Sequence, residues 1–161
     1  MEERYLYKAK RKDNGEWVTG NLIQSSDAED GWEAIIIPVK NSNMFAKHIE
    51  NDYSTMFTKP IGRGYGNLGF ENWYRVDPST ICQCTGLKDK RDELIWENDV
   101  VNCTDAECCG YISWNESEAG FYFNVLLEGG RFDEEHIYDY QDCMEVIGNI
   151  FDNAELLESE G

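Results

Sequence analysis

Hydrophobic and polar residues alternate along much of this chain with the two-residue period of β-strands. In residues 4–10, two tyrosines and an alanine share one face and basic side chains share the other, which predicts a half-buried strand. The sequence Asp13-Asn14-Gly15 favours a tight hairpin turn, because asparagine and glycine accept the backbone angles that it needs. The pattern therefore predicts an N-terminal β-hairpin followed by a third strand, over residues 4–10, 16–23 and 32–39.

The middle of the chain has no clear period. Residues 44–49 are compatible with a short helix or with an irregular excursion. The glycine-rich residues 61–72 are predicted to form a loop. Residues 73–76 return to an extended pattern, and the turn at 77–80 follows them.

Short apolar runs separated by Gly, Asn and Asp turns dominate the rest of the chain. Residues 82–101 read as three strands, joined by a charged reversal and an acidic turn, and further strands are predicted at 100–103, 110–114, 121–126 and 144–150. This spacing is typical of a small barrel or sandwich, so the fold class is mostly β. Residues 132–142 are predicted to be a helical turn or a loop, and residues 154–158 a short helix. We divide the chain into residues 1–79 and 80–161, with one continuous domain as the open alternative.

Charge is the strongest signal in the composition. The formal net charge is −18, and residues 101–161 hold one arginine against fifteen Asp and Glu, a difference of −14. Such a surface repels nucleic-acid phosphates, so direct binding of nucleic acid is not expected. It can attract a basic protein surface, and solubility alone is the open alternative. The candidate partner-binding carboxylates are Glu116, Glu118, Glu128, Asp133, Glu134, Glu135, Asp139 and Asp142.

The sequence predicts a cytosolic protein with no membrane partner. No apolar run is long enough to span a bilayer, and the N-terminus lacks a signal-peptide pattern. The six cysteines are then expected to be free or metal-bound. Cys82-x-Cys84 and Cys103-x4-Cys108-Cys109 fit zinc-site spacing only in part, so independent thiols are the simpler interpretation and no metal site is predicted.

The sequence contains no recognisable catalytic motif. His48 and His136 are the two histidines, and neither has a neighbouring nucleophile motif or an H-E-x-x-H pattern. The carboxylates are so numerous that no pair stands out. We therefore predict no catalytic residue, no cofactor and no enzymatic activity.

Residues 64–69, Gly-Tyr-Gly-Asn-Leu-Gly, match the G-x-G-x-x-G dinucleotide fingerprint literally. That fingerprint needs a strand before the glycines and a helix after them, and no convincing helix follows here. A flexible loop is the simple interpretation, and a loop whose backbone amides and arginine hold an anion is the alternative. The candidate ligand-loop residues are Arg63, Gly64, Tyr65, Gly66 and Trp73, and the candidate exposed aromatics are Tyr65, Phe70, Trp73 and Tyr74.

Four segments of the chain resemble the YopX family of phage and prophage proteins. The resemblance implies a mostly-β protein with a small SH3-like barrel in its C-terminal part, and it implies no established chemistry. The chain departs from the family pattern at Arg91-Asp92, where Asn-Gly is usual, and at Cys84, where an aromatic is usual. The segments are LYKAKRKDNGEWVTGNLI (6–23), TGLKDK (85–90) with WENDVV (96–101), GYISWNESEAGFYF (110–123) and EVIGNIFDNAELLE (145–158).

Together these features favour a non-enzymatic phage or prophage accessory protein acting in the host cytoplasm. It would bind and inhibit a host defence protein through an acidic surface that imitates nucleic acid. A protein that sequesters a small nucleotide-like signal through residues 61–75 is a second hypothesis. A structural component that assembles into homo-oligomers through exposed aromatics is the third.

Overall fold

The protein is mostly β-structure, as the sequence predicts. The structure is a computed structural model that describes residues 3–25, 33–40, 44–47, 57–61, 64–70 and 72–158, with side chains for 3–25, 33–40 and 72–158. Trp32, His48 and Arg63 lie outside the described residues. The chain forms two compact units, one of Tyr7–Ile81 and the other of Met1–Leu6 with Cys82–Gly161. That residues 1–79 and 80–161 are separate domains stays a prediction.

The unit Tyr7–Ile81 contains two antiparallel groups of strands. One group has the order β7-β3-β2-β1 and the other the order β4-β6-β5. The first is held by a small core in which Ala9, Ala34, Ile36 and Val76 are buried. Its strands are β1 (Tyr7–Lys10), β2 (Trp17–Gln24), β3 (Ala34–Pro38), β4 (Met44–Lys47), β5 (Phe57–Ile61), β6 (Gly64–Phe70) and β7 (Tyr74–Arg75).

Three predictions for this part of the chain are wrong. Residues 44–47, in the stretch where a short helix or an irregular excursion is predicted, form strand β4. The loop predicted at 61–72 contains strand β6, which pairs with β4 on one side and β5 on the other. Glycine permits a loop but does not require one, and pairing on both sides provides partners for the backbone N–H and C=O groups. The first predicted strand begins later than expected, because Glu3–Tyr5 is a 3₁₀ turn.

The second unit contains a five-stranded antiparallel sheet of order β13-β12-β11-β10-β14. A hairpin of two further strands, β8 and β9, precedes this sheet in sequence. The strands of the unit are β8 (Cys82–Lys88), β9 (Leu94–Trp96), β10 (Asp99–Cys103), β11 (Cys108–Asn115), β12 (Gly120–Leu127), β13 (Arg131–His136) and β14 (Met144–Asn149).

One face of the five-stranded sheet forms the core of this unit. Phe123 lies opposite Ile112 in the β11–β12 register, and both side chains are fully buried. The alternation predicted for residues 121–126 is confirmed, because Phe123 and Val125 lie in the core while Asn124 on the other face donates to Ser113 Oγ. The hairpin contributes Ile95 to this core.

The described residues show an open sheet rather than a closed barrel. Strands β13 and β14 stand at opposite ends of the strand order, so the SH3-like barrel is not confirmed. The segment predicted as a helical turn or loop at residues 132–142 contains strand β13 and a 3₁₀ turn, Ile137–Asp139. The predicted C-terminal helix is a short 3₁₀ turn, Ala154–Leu157.

A buried aspartate explains the local structure of the TGLKDK segment. Asp89 Oδ1 accepts hydrogen bonds from the backbone N–H groups of Arg91 and Glu93, at 2.8 and 2.9 Å, which closes the β8–β9 turn. Its Oδ2 accepts from Val146 N–H on β14 at 3.0 Å. Burial alone would raise the pKa of Asp89, but the N–H donors and the Arg91 guanidinium outweigh it and the pKa is lowered. The residue therefore ties the turn to the sheet.

Two of the six cysteines form a disulfide, which corrects the expectation of free or metal-bound thiols for that pair. Cys103 at the end of β10 is bonded to Cys143 just before β14, with Cα atoms 5.0 Å apart. Strands β10 and β14 pair antiparallel, and Cys103 lies opposite Met144 in that register. The pairing of these two strands therefore brings the cysteines together, although 40 positions separate them in sequence.

Candidate functional site

Seven of the eight predicted partner-binding carboxylates lie on β13 or in segments directly next to it or to β12, whereas Asp142 adjoins the Cys103–Cys143 disulfide and the start of β14 at the opposite edge of the sheet. Asp133, Glu134 and Glu135 belong to β13, which is the last strand on that side. The other five are in connecting segments. Glu116 and Glu118 are in the β11–β12 turn, Glu128 is in the β12–β13 turn, and Asp139 and Asp142 follow β13.

Strand alternation divides these carboxylates between the two faces of the sheet. In the β12–β13 register, Asp133 and Glu135 lie opposite Val125 and Phe123 of the core face, whereas Glu134 lies opposite Asn124 of the other face. The sequence prediction of one acidic surface is therefore refined to an acidic edge with two sides. We use the name acidic edge for the carboxylates defined above other than Asp142.

Each side of the acidic edge is organised around a tyrosine. On one side, burial and the charges of Glu118 and Glu134 raise the pKa of Tyr122. Asn115 Nδ2 donates to Glu134 Oε2 at 2.9 Å, which fixes that carboxylate beside the β11–β12 turn. The ring of His136 lies 4.7 Å from the ring of Tyr122.

On the other side of the edge, Tyr140 packs against the core with its ring 5.2 Å from that of Phe123. Burial raises the pKa of Tyr140, and the nearby charges of Glu135, Asp139 and Asp133 raise it further. The pKa of each tyrosine is thus raised first by burial, and the carboxylates on its own side of β13 raise it further.

None of these eight carboxylates forms an ion pair with another described residue. Acids elsewhere do so, because the basic side chains of the β8–β9 turn are engaged locally: Lys88 with Asp92 at 2.9 Å and Lys90 with Glu145 at 2.6 Å. The acids that form such ion pairs include Asp13, Glu16, Glu33, Asp89, Asp92, Glu93 and Glu145. The negative charge of the edge is thus not neutralised by ion pairs within the described structure, and Arg131 at the first position of β13 is the one arginine or lysine on that strand.

Sequence reasoning missed the aromatic side chains that are exposed at this edge. Trp114, Phe132 and Tyr138 are 40%, 42% and 73% exposed. Phe132 and Tyr138 stand among charged residues without apolar alternation, which was a usable signal of exposure. The predicted exposed aromatics Trp73 and Tyr74 are half-buried instead, and nothing is described for the side chains of Tyr65 and Phe70.

The predicted ligand-loop residues are only partly described. Gly64, Tyr65 and Gly66 lie on strand β6, and their backbone pairs with Ile61, Pro60 and Lys59 of β5. Trp73 lines an open pocket of about 410 Å³ with Lys12, Asp13, Tyr74 and Arg75.

The described residues contain no group of three or more His, Cys, Asp and Glu side chains placed to hold a metal ion. No described helix is long and apolar enough to cross a bilayer.

Comparison with known proteins identifies the family of this chain. The crystal structure of protein EF1440 from Enterococcus faecalis is similar at 20% sequence identity, with a TM-score of 0.42, over 94% of this chain and 96% of that one. No curated protein matches the chain. A family model described as YopX protein matches residues 6–158, which is nearly the whole chain. The resemblance noted in the sequence is confirmed, and the protein belongs to the YopX family.

Proposed function

We propose that this protein is a non-enzymatic accessory protein of a phage or prophage, and that its acidic edge binds a basic surface on a host protein. The observation that carries the proposal is the set of carboxylates on and beside β13, none of which forms an ion pair with a described residue. Basic surfaces of that kind normally hold nucleic acid, so the expected effect is inhibition of a nucleic-acid-handling defence protein in the host cytoplasm.

The distribution of lysine and arginine in the same unit supports a binding role for the acidic edge. If acidity served solubility alone, basic side chains would be spread evenly over the unit, but among the described residues 101–158 only Arg131, at the start of β13, is a lysine or arginine. Instead Lys88, Lys90 and Arg91 pair with acids of their own hairpin and with Glu145. Unscreened like charges on one strand favour association with a positive surface, and they increase the association rate.

The position of β13 also supports binding. An edge strand has backbone N–H and C=O groups that a partner strand can use, and charged side chains on such an edge normally prevent unwanted pairing. Only a partner strand with complementary basic side chains could then pair with β13, so the same charges would make the binding selective. The proposed interface therefore combines backbone pairing with charge recognition.

The test is capture of host proteins by the immobilised full chain at about 0.1 M and about 1 M salt, where the screening length falls from about 10 Å to about 3 Å. We expect a basic protein to be retained at low salt and released at high salt. The variant D133N/E134Q/E135Q should lose it. The matched variant D105N/E155Q/E158Q removes the same charge at exposed positions outside the edge and should retain it. If both variants lose the captured protein to the same extent, binding depends on net charge and not on the acidic edge, and the proposal is refuted.

Sequestration of a small nucleotide-like signal remains a second proposal, supported by the pocket beside Trp73. That pocket combines Trp73 with Lys12 and Arg75, which suits a base and a phosphate; Asp13 also lines it, and Lys12 Nζ lies 3.0 Å from Glu33 Oε2. Small-molecule mass retained by the purified chain, and lost in W73A, would support it. Self-assembly through the exposed aromatics is the third proposal, and a monomer at all concentrations in analytical ultracentrifugation would exclude it.

A further inference from the structure

A free thiol lies beside the disulfide on the core face of the five-stranded sheet. Cys103 on β10 is fully buried and is bonded to Cys143. In the β10–β11 register Cys108 lies directly opposite Cys103, so the two side chains share one face of the sheet. Cys108 packs against the same core cluster that contains Val101, and it is not disulfide-bonded. Three cysteines therefore meet in one region of the fold.

The distance between Cys103 and Cys108 suits a disulfide. Directly opposed residues of antiparallel strands have Cα atoms about 4.5 or 5.5 Å apart, and disulfides join Cα atoms that are about 4.4–6.8 Å apart. The bond to Cys143 spans 5.0 Å between its Cα atoms. Cys103 can therefore bond to either partner without a change in strand register.

The strand order provides the approach that an exchange between these partners needs. In thiol–disulfide exchange a thiolate attacks one sulfur of the bond and displaces the other, and the displaced sulfur leaves on the side opposite to the attack. Strand β10 lies between β11 and β14 in the sheet. Cys108 is on β11 and Cys143 directly precedes β14, so they flank Cys103 from its two sides.

Tyr140 borders all three cysteines. Its carbonyl oxygen lies 3.1 Å from Cys143 Sγ and 4.0 Å from Cys103 Sγ. Burial and then several nearby charges raise the pKa of Tyr140, and the charge of a Cys108 thiolate is one of them. Cys108 is therefore a close neighbour of the residue that the disulfide contacts.

We propose that Cys108 is an exchange thiol for the disulfide, so that the bond of Cys103 moves between Cys143 and Cys108. The Cys108 thiolate attacks Cys103 Sγ, the Cys103–Cys143 bond breaks, and the Cys143 sulfur leaves as a thiolate. The proton that Cys108 loses to solvent is matched by the proton that Cys143 takes up, so the exchange needs no oxidant or reductant. This inference does not depend on the proposed partner.

The exchange changes which strands are covalently joined. The Cys103–Cys143 bond connects β10 to the start of β14, whereas a Cys103–Cys108 bond stays within the β10–β11 hairpin. The exchanged form leaves Cys143 as a half-buried thiol, which a small thiol such as glutathione can engage in a mixed disulfide. Burial and the charge of Cys109 raise the pKa of Cys108, so little thiolate is present at neutral pH and the exchange is slow.

The experiment starts from the intact chain purified at about pH 4, where exchange stops because thiolate is absent. The chain is moved to about pH 8 without added thiol, quenched with acid at intervals, cleaved with pepsin and mapped by mass spectrometry. We expect the Cys103–Cys108 linkage and a free Cys143 to appear together, at a rate that does not depend on protein concentration. The rate should rise about tenfold from about pH 7 to about pH 8, because the thiolate fraction does. Absence of the new linkage at every time, or a rate proportional to protein concentration, would overturn the proposal.

Two variants test the identity of the attacking thiol. C108S should abolish the release of Cys143. C109S is the matched control, because alternation along β11 places Cys109 on the opposite face, where its sulfur lies near Leu156; it should exchange at close to the native rate, and its map distinguishes Cys108 from its neighbour. Undiminished release of Cys143 in C108S would refute the role of Cys108. If C108S fails to fold, the linkage map of the native chain still decides between the outcomes.

Discussion

Replacing Asp89 should destabilise the protein far more than its place in a charged turn implies. Its carboxylate accepts three backbone hydrogen bonds, from Arg91, Glu93 and Val146. A hydrogen bond to a charged group contributes about 1.5–3 kcal/mol. Water can reach the two exposed turn residues in a variant, so the three losses are not fully additive. We expect D89A to lower the free energy of unfolding by about 3–5 kcal/mol.

D89N separates the two halves of this role. An asparagine oxygen can still accept from the turn N–H groups, but its NH₂ group then faces the N–H of Val146, which needs an acceptor. We expect a smaller loss of about 1–3 kcal/mol. Amide hydrogen exchange of Val146 should accelerate more than that of Glu93. D92N, at an exposed position of the same turn, is the matched control and should change stability by less than about 1 kcal/mol.

The pH dependence follows from the lowered pKa of Asp89. A carboxyl group whose pKa is lower in the folded state contributes stability above its ordinary value of about 3.9, and this contribution disappears as the pH falls through the folded-state pKa. The stability gap between the native chain and D89N should therefore be constant from about pH 7 to pH 5 and narrow below about pH 4. Urea unfolding followed by tryptophan fluorescence measures it. If D89A and D92N are equally stable, the carboxylate does not hold the turn to β14 and the argument is refuted.

Three other changes test the packing of the same unit by urea unfolding. Removing the disulfide in C103A/C143A should cost about 4 kcal/mol, from the loop entropy of 40 residues, and an unchanged midpoint would contradict this. G110A should cost at least about 2 kcal/mol, because a Cβ there would collide with the Asn124 carbonyl oxygen and approach Phe123 Cε2 at 2.8 Å; native-like stability would exclude the close contact. E97Q should be more stable at pH 7, since burial raises the pKa of Glu97 and disfavours its charged form. That gain should vanish at acidic pH, and a loss at pH 7 would contradict the assignment.

The strands of the second unit could be predicted because their alternation is local. Phe123 and Val125 point to the core for the same reason that they alternate with polar residues in the sequence. The acidic edge was assigned as one surface because residues 132–142 were not recognised as a strand. Once β13 is known, alternation alone separates Glu134 from Asp133 and Glu135.

Other features depend on contacts that no local pattern encodes. The glycines of β6 have no strong preference, and pairing with β4 and β5 decides their conformation. Cys103 and Cys143 meet only because β10 and β14 are neighbours in the sheet. Asp89 looks like a solvated turn residue in sequence, and only the approach of Val146 shows its structural role.

The Cys103–Cys143 bond has a mechanical consequence for the acidic edge. Strands β11, β12 and β13 lie between Cys103 and Cys143 in the sequence, so the disulfide makes them part of a closed covalent ring. A protease cut in the β11–β12 or β12–β13 turn would leave fragments that separate only after reduction. A force that a bound partner applies to β13 therefore acts on a segment that the disulfide closes into a ring. If one peptide bond in a neighbouring turn is cut, β13 stays covalently attached to the rest of the protein.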